Sequence, residues 1–299
     1  MQKTTMFGAL SVMAIVGLIA APGCSATVEG AAKSYSSAAC SKIFECAPVG
    51  AKAAYGDQAK CEGSFNPLAL ELFTLPDIAA SADDLQRCAD AVKSASCAEY
   101  FAGQIYPACD IVGTRAGGDA CAAGVQCESG SCSGVSDTEC GKCRVRKAVG
   151  EVCTGATDSC EPGTFCGQAG KCTATPSKKG DACPDSVCAG GLFCDNGKCA
   201  GLKAAGAACQ SFFECDYANG VTCDTTAMKC VQIKVVGVGE ACGEALTSCA
   251  GDAQCDSATM KCVARPKLGE ACSTDPDNCE NGLTCESGKC AVPTPPTCE

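Results

Sequence analysis

Thirty-three cysteines and no histidine define the chemistry open to this chain of 299 residues. Cysteine at such density cross-links as disulfides, holds a soft metal as thiolate, or passes electrons through a paired dithiol. Without histidine there is no imidazole acid–base catalysis, no Ser-His-Asp arrangement and no mixed Cys/His zinc site. A G-x-S-x-G elbow and a G-x-x-x-x-G-K-[ST] phosphate loop are both missing from the sequence. Cys140-Gly-Lys-Cys143 has the spacing of a redox dithiol, but turn residues and a basic stretch flank it where a βαβ unit would be needed, so it reads as structural. Thiolate metal stores favour dense Cys-x-Cys or repeated Cys-x-x-Cys pairs, whereas gaps of four to seven residues dominate here. The run Asp275, Asp277, Asn278 and Glu280 offers oxygen ligands for calcium but lacks the regular spacing of an EF-hand loop, and reads as a solvated loop. No metal or other cofactor is expected.

The spacing itself repeats. Gly-x-x-Cys recurs at Cys121, Cys153, Cys183, Cys209, Cys242 and Cys272, with 26 to 33 residues between successive starting glycines. Behind each start come three further cysteines in a constant order. The clear sets are Cys153, Cys160, Cys166 and Cys172; Cys183, Cys188, Cys194 and Cys199; and Cys209, Cys215, Cys223 and Cys230. Two more are Cys242, Cys249, Cys255 and Cys262, and Cys272, Cys279, Cys285 and Cys290. Between third and fourth cysteines the chain reads as a β-hairpin, with Asn196-Gly197 as a two-residue turn. Cysteines facing each other across a tight hairpin are poorly placed to bridge directly, so first-to-third and second-to-fourth bridges are expected. In the first module Cys121, Cys127 and Cys132 align, but Cys140 and Cys143 compete for fourth place. The cysteine left over and Cys298 restore even parity, with each other, with the helical region or between chains. Module boundaries fall at 117–147, 148–176, 177–202, 203–234, 235–266 and 267–292, and a Pro-rich tail covers 293–299.

The module "GDACPDSVCAGGLFCDNGKC" resembles the Dickkopf amino-terminal cysteine-rich repeat found in predicted bacterial lipoproteins. The resemblance spans roughly residues 30 to 292. It implies a helical cysteine-bearing region followed by a tandem array, and it carries no activity over.

Residues 31–112 differ from the array. They are rich in Ala and Leu and hold Cys40, Cys46, Cys61, Cys88, Cys97 and Cys109. Four or five short helices are expected, one over 31–46. Asn66-Pro67 reads as an N-cap with proline at the first helical position, and Ser81/Asp84 and Ser96/Glu99 read as capping boxes. Cys40 and Cys46 on one helix would stand about 9 Å apart along the axis, beyond the roughly 7 Å a disulfide spans, so each must reach another element. Cys61 is the nearest candidate, and the full connectivity stays open. The fold class is therefore small and disulfide-rich: an α-helical N-terminal cysteine-bearing domain followed by six small β-hairpin cystine modules.

Residues 1–23 read as an export signal, with Lys3 before an apolar run from Met6 to Ala21. "AAPGC" resembles a bacterial lipobox, which implies acylation of Cys24 and a tether over 24–30. Setting Cys24 aside leaves an even number of cysteines. Loss of Lys3 with the signal takes the net charge from −11 to −12, which disfavours nucleic acid as a partner. The basic cluster Lys142, Arg144, Arg146 and Lys147 reads as a solvated linker. With nine Phe, five Tyr and no Trp, one large core is out of reach and disulfides must replace it.

Phe212, Phe213 and Tyr217 fall in one loop of module 4, either as a mini-core or as a partner-binding surface. These features together point to a non-enzymatic, lipid-anchored cell-envelope protein. Its partners would be the membrane, through the anchor, and an unknown protein or envelope component. Alternatives are a ligand or protease-inhibitor-like protein acting through an intercysteine loop, a metal-binding protein, or an enzyme using Asp83, Asp84 or Asp110.

Overall fold

The computed structural model describes residues 27–298 apart from 102–105, 137–138, 156, 245 and 274–278. The signal, Cys24, Asp275, Asp277 and Asn278 lie outside the described residues. Helices come first and two-stranded hairpins after them.

The helices are α1 (Val28–Cys46), α2 (Pro48–Tyr55), α3 (Gln58–Phe73), α4 (Ala82–Ser94), α5 (Cys97–Phe101) and α6 (Tyr106–Cys109). Thr27 caps α1 by accepting from the Gly30 N–H, and Pro48 opens α2 at a position where its missing N–H costs nothing. Ser81 and Asp84 form the expected reciprocal box on α4, and Ser96 and Glu99 make the same pair of contacts before α5. Leu85, Cys88, Ala89 and Val92 put one stripe of α4 against α1, which answers with Ala38 and the partly buried Tyr35.

Two expectations need correction. Six helices are present among the described residues rather than four or five, and α1 runs for 19 residues. Asn66-Pro67 does not start a helix: α3 begins at its cap Asp57 and carries Pro67 inside. Fully buried Cys61 lies a turn and a half upstream, bridged to Cys40 of α1, so tertiary packing holds that segment helical. Proline there removes only the donor to the Gly63 carbonyl.

The bridges of this domain are Cys40–Cys61, Cys46–Cys97 and Cys88–Cys109, with Cα separations of 5.8, 5.2 and 4.5 Å. Cys40 and Cys46 thus reach different elements, as their spacing along α1 demands.

Each module is built on one backbone device. The starting glycines Gly118, Gly150, Gly180, Gly206, Gly239 and Gly269 all have φ between 82° and 94°. Their N–H groups donate to the carbonyls of the fourth cysteines, Cys143, Cys172, Cys199, Cys230, Cys262 and Cys290. A side chain at that φ is strained, which is why glycine recurs. In five modules the next residue is Asp119, Glu151, Asp181, Glu240 or Glu270, whose carboxylate accepts from the backbone N–H three residues upstream. Module 4 has Ala207 instead.

Gly180→Ala tests the device, because a Cβ there meets open space and the cost is purely of the backbone. A strain of about 1–2 kcal/mol is expected. Amide exchange at Gly180 and Cys199 should accelerate roughly tenfold, with the bridges unchanged.

The hairpins of modules 2 to 6 place third and fourth cysteines opposite one another: Cys166 faces Cys172, Cys194 faces Cys199, Cys223 faces Cys230, Cys255 faces Cys262, and Cys285 faces Cys290. None of these facing pairs is bridged. The bonds run first-to-third and second-to-fourth: Cys153–Cys166 with Cys160–Cys172, Cys183–Cys194 with Cys188–Cys199, and Cys209–Cys223 with Cys215–Cys230. The last two modules follow with Cys242–Cys255, Cys249–Cys262, Cys272–Cys285 and Cys279–Cys290. Asn196 and Gly197 both have positive φ, as do Ser287 and Gly288, giving primed turns at these tips.

In module 1 Cys143 takes fourth place. Cys121 bridges Cys132, Cys127 bridges Cys143, and Gly141–Cys143 is the central strand of a three-stranded sheet. Cys140 is thereby free to bridge Cys298 across 158 residues.

The array does not trail away from the helices; it wraps them. In modules 3 to 6 the turn after the second cysteine meets the helical domain, and modules 1 and 2 are held to it by Gln126, just before Cys127, and by Arg146 at their junction. Gln126 donates to the Pro76 carbonyl, and Arg146 makes two bonds of 2.6 and 2.8 Å to Asp110. The basic cluster is therefore no solvated linker throughout: Lys142 and Cys143 sit in one strand, Arg146 and Lys147 in another, and Arg146, at the end of module 1 on a strand paired with module 2, is tied to Asp110 of the helical domain. A Cβ on Gly190 of module 3 would lie 1.9 Å from the Phe101 carbonyl oxygen, and one on Gly220 of module 4 would lie 2.2 Å from Val49. Only glycine permits either approach. In module 5 the Gly251 N–H reaches the Lys52 and Ala53 carbonyls, and in module 6 Asn281 donates to Ala54. Arg115 then holds the Cys298 carbonyl at 2.9 Å, and Cys140–Cys298 closes the circuit.

Candidate functional site

Two places on this closed body combine exposed or concave geometry with chemically distinctive residues. One is the loop of module 4 marked out by its aromatics. The core of this module is Cys209, Cys215, Val221, Cys223 and Cys230, so the aromatics are not its mini-core. Phe212 and Phe213 are 54% and 63% exposed and lie against each other, ring centroids 3.7 Å apart with planes tilted by 34°, on a short 3-10 turn, Phe212–Glu214. Tyr217 is also exposed, but it stands on a second turn, Tyr217–Asn219, whose backbone faces α2. The structure brings the two phenylalanines together and leaves the tyrosine apart.

Beside Phe213 runs a cleft shared with module 3, lined by Val187, Leu192 and Phe193. Lys203 bridges the two modules there. Its ammonium lies 5.1 Å from the Phe193 ring centre and 2.6 Å from Glu214, and that contact holds the Glu214 carboxyl below the usual range.

The other place is a seam the sequence did not reveal. Where α2 and α3 meet modules 5 and 6, a cavity of about 220 Å³ opens between Tyr55, Pro67, Leu268, Leu283 and Val292. One end is polar. Lys60, from the first turn of α3, donates to Asp252 of module 5 at 2.9 Å, which raises the ammonium's pKa. Burial is the largest single influence on Asp252 and works against its ionisation, yet Lys60, a backbone N–H and Glu280 together hold the carboxyl low. Glu280 of module 6 goes the other way: burial and its hydrogen bond to Asp252 push it up. Burial also raises Tyr55. Two acidic side chains, one held low and the other pushed up, thus sit together beside an apolar chamber. Glu280 was legible only as part of an acidic run, because its partners are remote in sequence.

The other residues considered for chemistry have structural roles. Asp84 is in the capping box of α4, Asp83 is in its first turn, and Asp110 is paired with Arg146. Sulfurs such as those of Cys209, Cys215 and Cys230 lie within 4.8 Å of one another, but every one is in a disulfide and offers no thiolate. Cys140 and Cys143 belong to two different bridges, so they form no dithiol pair. Among the described residues no helix is long and apolar enough to cross a membrane. Compared with known family models, curated proteins and solved structures, the chain matches none.

Proposed function

We propose that this protein is a non-enzymatic, lipid-anchored component of a bacterial cell envelope, at the outer membrane or cell surface, whose ring of cystine modules presents a rigid surface to a protein partner. Sixteen bridges use all thirty-two cysteines other than Cys24, which suits an oxidising, exported compartment and leaves Cys24 for acylation. The apolar leader, the lipobox-like "AAPGC" and the likeness of the modules to Dickkopf amino-terminal repeats of bacterial lipoproteins support the same compartment. The acidic body disfavours nucleic acid as the partner and leaves attachment to the lipid.

The observation that carries the binding reading is the solvent-facing Phe212–Phe213 pair. Its module does not need these rings, since cystines make its core. Adjacent exposed aromatics on a preorganised loop are what protein interfaces use as anchors, because little entropy is lost on contact. The test is a photo-crosslinking residue at Phe213 in intact envelopes, together with the double variant Phe212→Ser, Phe213→Ser. A discrete crosslinked partner, lost in the double variant while all bridges map as in wild type, is the expected result. No crosslink, or a partner retained by the double variant, would overturn the assignment of this surface.

A further inference from the structure

We propose that the cavity between α2, α3 and modules 5 and 6 binds a small organic cation, a primary amine carrying an aromatic or branched-alkyl body. Its size sets the ligand: about 220 Å³ compares with roughly 150 Å³ for an apolar protein cavity that takes up benzene, which leaves room for a ring and a short amine-bearing arm. The walls Tyr55, Pro67, Leu268, Leu283 and Val292 suit a hydrocarbon body and can make no polar contact with it beyond the Tyr55 hydroxyl.

The polar end sets the charge. Lys60 is already paired with Asp252, so an anionic ligand would meet two acidic side chains beside the one lysine on the lining. A neutral ligand gains the walls alone. An ammonium finds two carboxyl groups on the cavity lining, Asp252 and Glu280, against one lining lysine, Lys60; Lys267 acts on Glu280 from outside the lining. With the ligand bound, the cavity lining holds Lys60 and the ligand against Asp252 and Glu280, two positive and two negative charges, and any proton that Glu280 carries leaves to solvent. In the empty pocket burial and Asp252 push the Glu280 carboxyl up, against a smaller opposing pull from Lys267 and Lys60. A pKa raised in this way has a definite signature. Between the ordinary glutamate range and the raised value, amine binding releases a proton, and above the raised value it releases none.

The experiment is calorimetric titration of the oxidised full-length mature protein with phenethylamine, phenethyl alcohol and phenylpropionate, in buffers of differing ionisation enthalpy. The amine should bind at least about tenfold more tightly than the alcohol, a difference of roughly 1.4 kcal/mol, and the acid should not bind measurably. Proton release should appear with the amine alone. Glu280→Gln, which keeps the shape and a hydrogen-bonding group, should abolish that release and bring the amine's affinity down to the alcohol's. Leu283→Trp should fill the chamber and abolish binding of both, with far-UV circular dichroism and the disulfide map unchanged. Equal affinity for amine and alcohol, undiminished amine binding in Leu283→Trp, or no binding by any of the three probes would each overturn the proposal. None of these outcomes touches the anchor or the aromatic surface of module 4.

Discussion

Full reduction under native conditions is expected to erase the six hairpin modules while parts of α1 and α4 stay protected from exchange. The physical reason is the composition of each module's interior. Module 4 buries four cysteines and Val221, and module 5 buries Val236, Ala253 and three cysteines. Little apolar area remains once those sulfurs separate and hydrate. The bridges of modules span 11 to 16 residues, and closing a loop of that size is worth about 3 kcal/mol each in the chain-entropy account. Two per module exceed anything else that holds a two-stranded hairpin, which alone is marginal in water. By contrast α1 and α4 share a contiguous stripe of Ala38, Cys88, Ala89 and Val92, where cysteine is the minority. Hydrogen exchange read by mass spectrometry after reduction and alkylation checks this. Module amides should lose all protection, and α1 and α4 should retain some. Hairpins that remain protected without their bridges would show that something other than cystine stabilises them.

Opening the circuit alone is the second large effect. In the variant Cys140→Ser, Cys298→Ser, the other fifteen bridges are expected to form normally, because the partners of each lie within one module or within the helical domain. A free loop of 158 residues would cost about 5 kcal/mol of closure entropy. The bridges inside it shorten the effective loop, so a loss of about 2–3 kcal/mol is expected instead. That loss should be local. Amides of Arg115, of the tail, and of the module 6 turn at Asn281 and Gly282 should exchange on the order of tenfold faster or more, since these hold module 6 and the tail in place. The interiors of modules 2 and 3 should be unaffected. Uniform loosening of all six modules would mean that the closure stabilises the modules themselves rather than their arrangement.

The module frame was legible because cysteine and glycine spacing report covalent geometry directly. Facing cysteines on a tight hairpin dictate bridges to other strands, and Asn196-Gly197 dictates the turn. The acidic residue after five of the six starting glycines was equally visible in the sequence but carries meaning only once its carboxylate is seen closing the upstream turn. Helix starts were legible where side chains cap locally, as at Ser81 and Ser96. They were misread at Pro67, where the deciding force is the remote Cys40–Cys61 bridge. Docking of the array was hidden for the same reason. Gly190, Gly220 and Gly251 resemble ordinary turn glycines until the backbone each approaches is known. The seam cavity draws Lys60, Asp252 and Glu280 from three separate parts of the chain, so no local pattern marks it. Phe212 and Phe213 stood out by type, but exposure, the property that separates a surface from a core, belongs to the fold.

The most direct test of the account is the intact mass of the protein isolated from envelopes without reduction, followed by mapping of its bridges. The mature chain should begin at Cys24, carry lipid there, and weigh two hydrogens less for each of sixteen bridges, with Cys140 joined to Cys298 and each module bonded first-to-third and second-to-fourth. An unlipidated chain starting elsewhere, or a chain rich in free thiols with bound zinc, would contradict it.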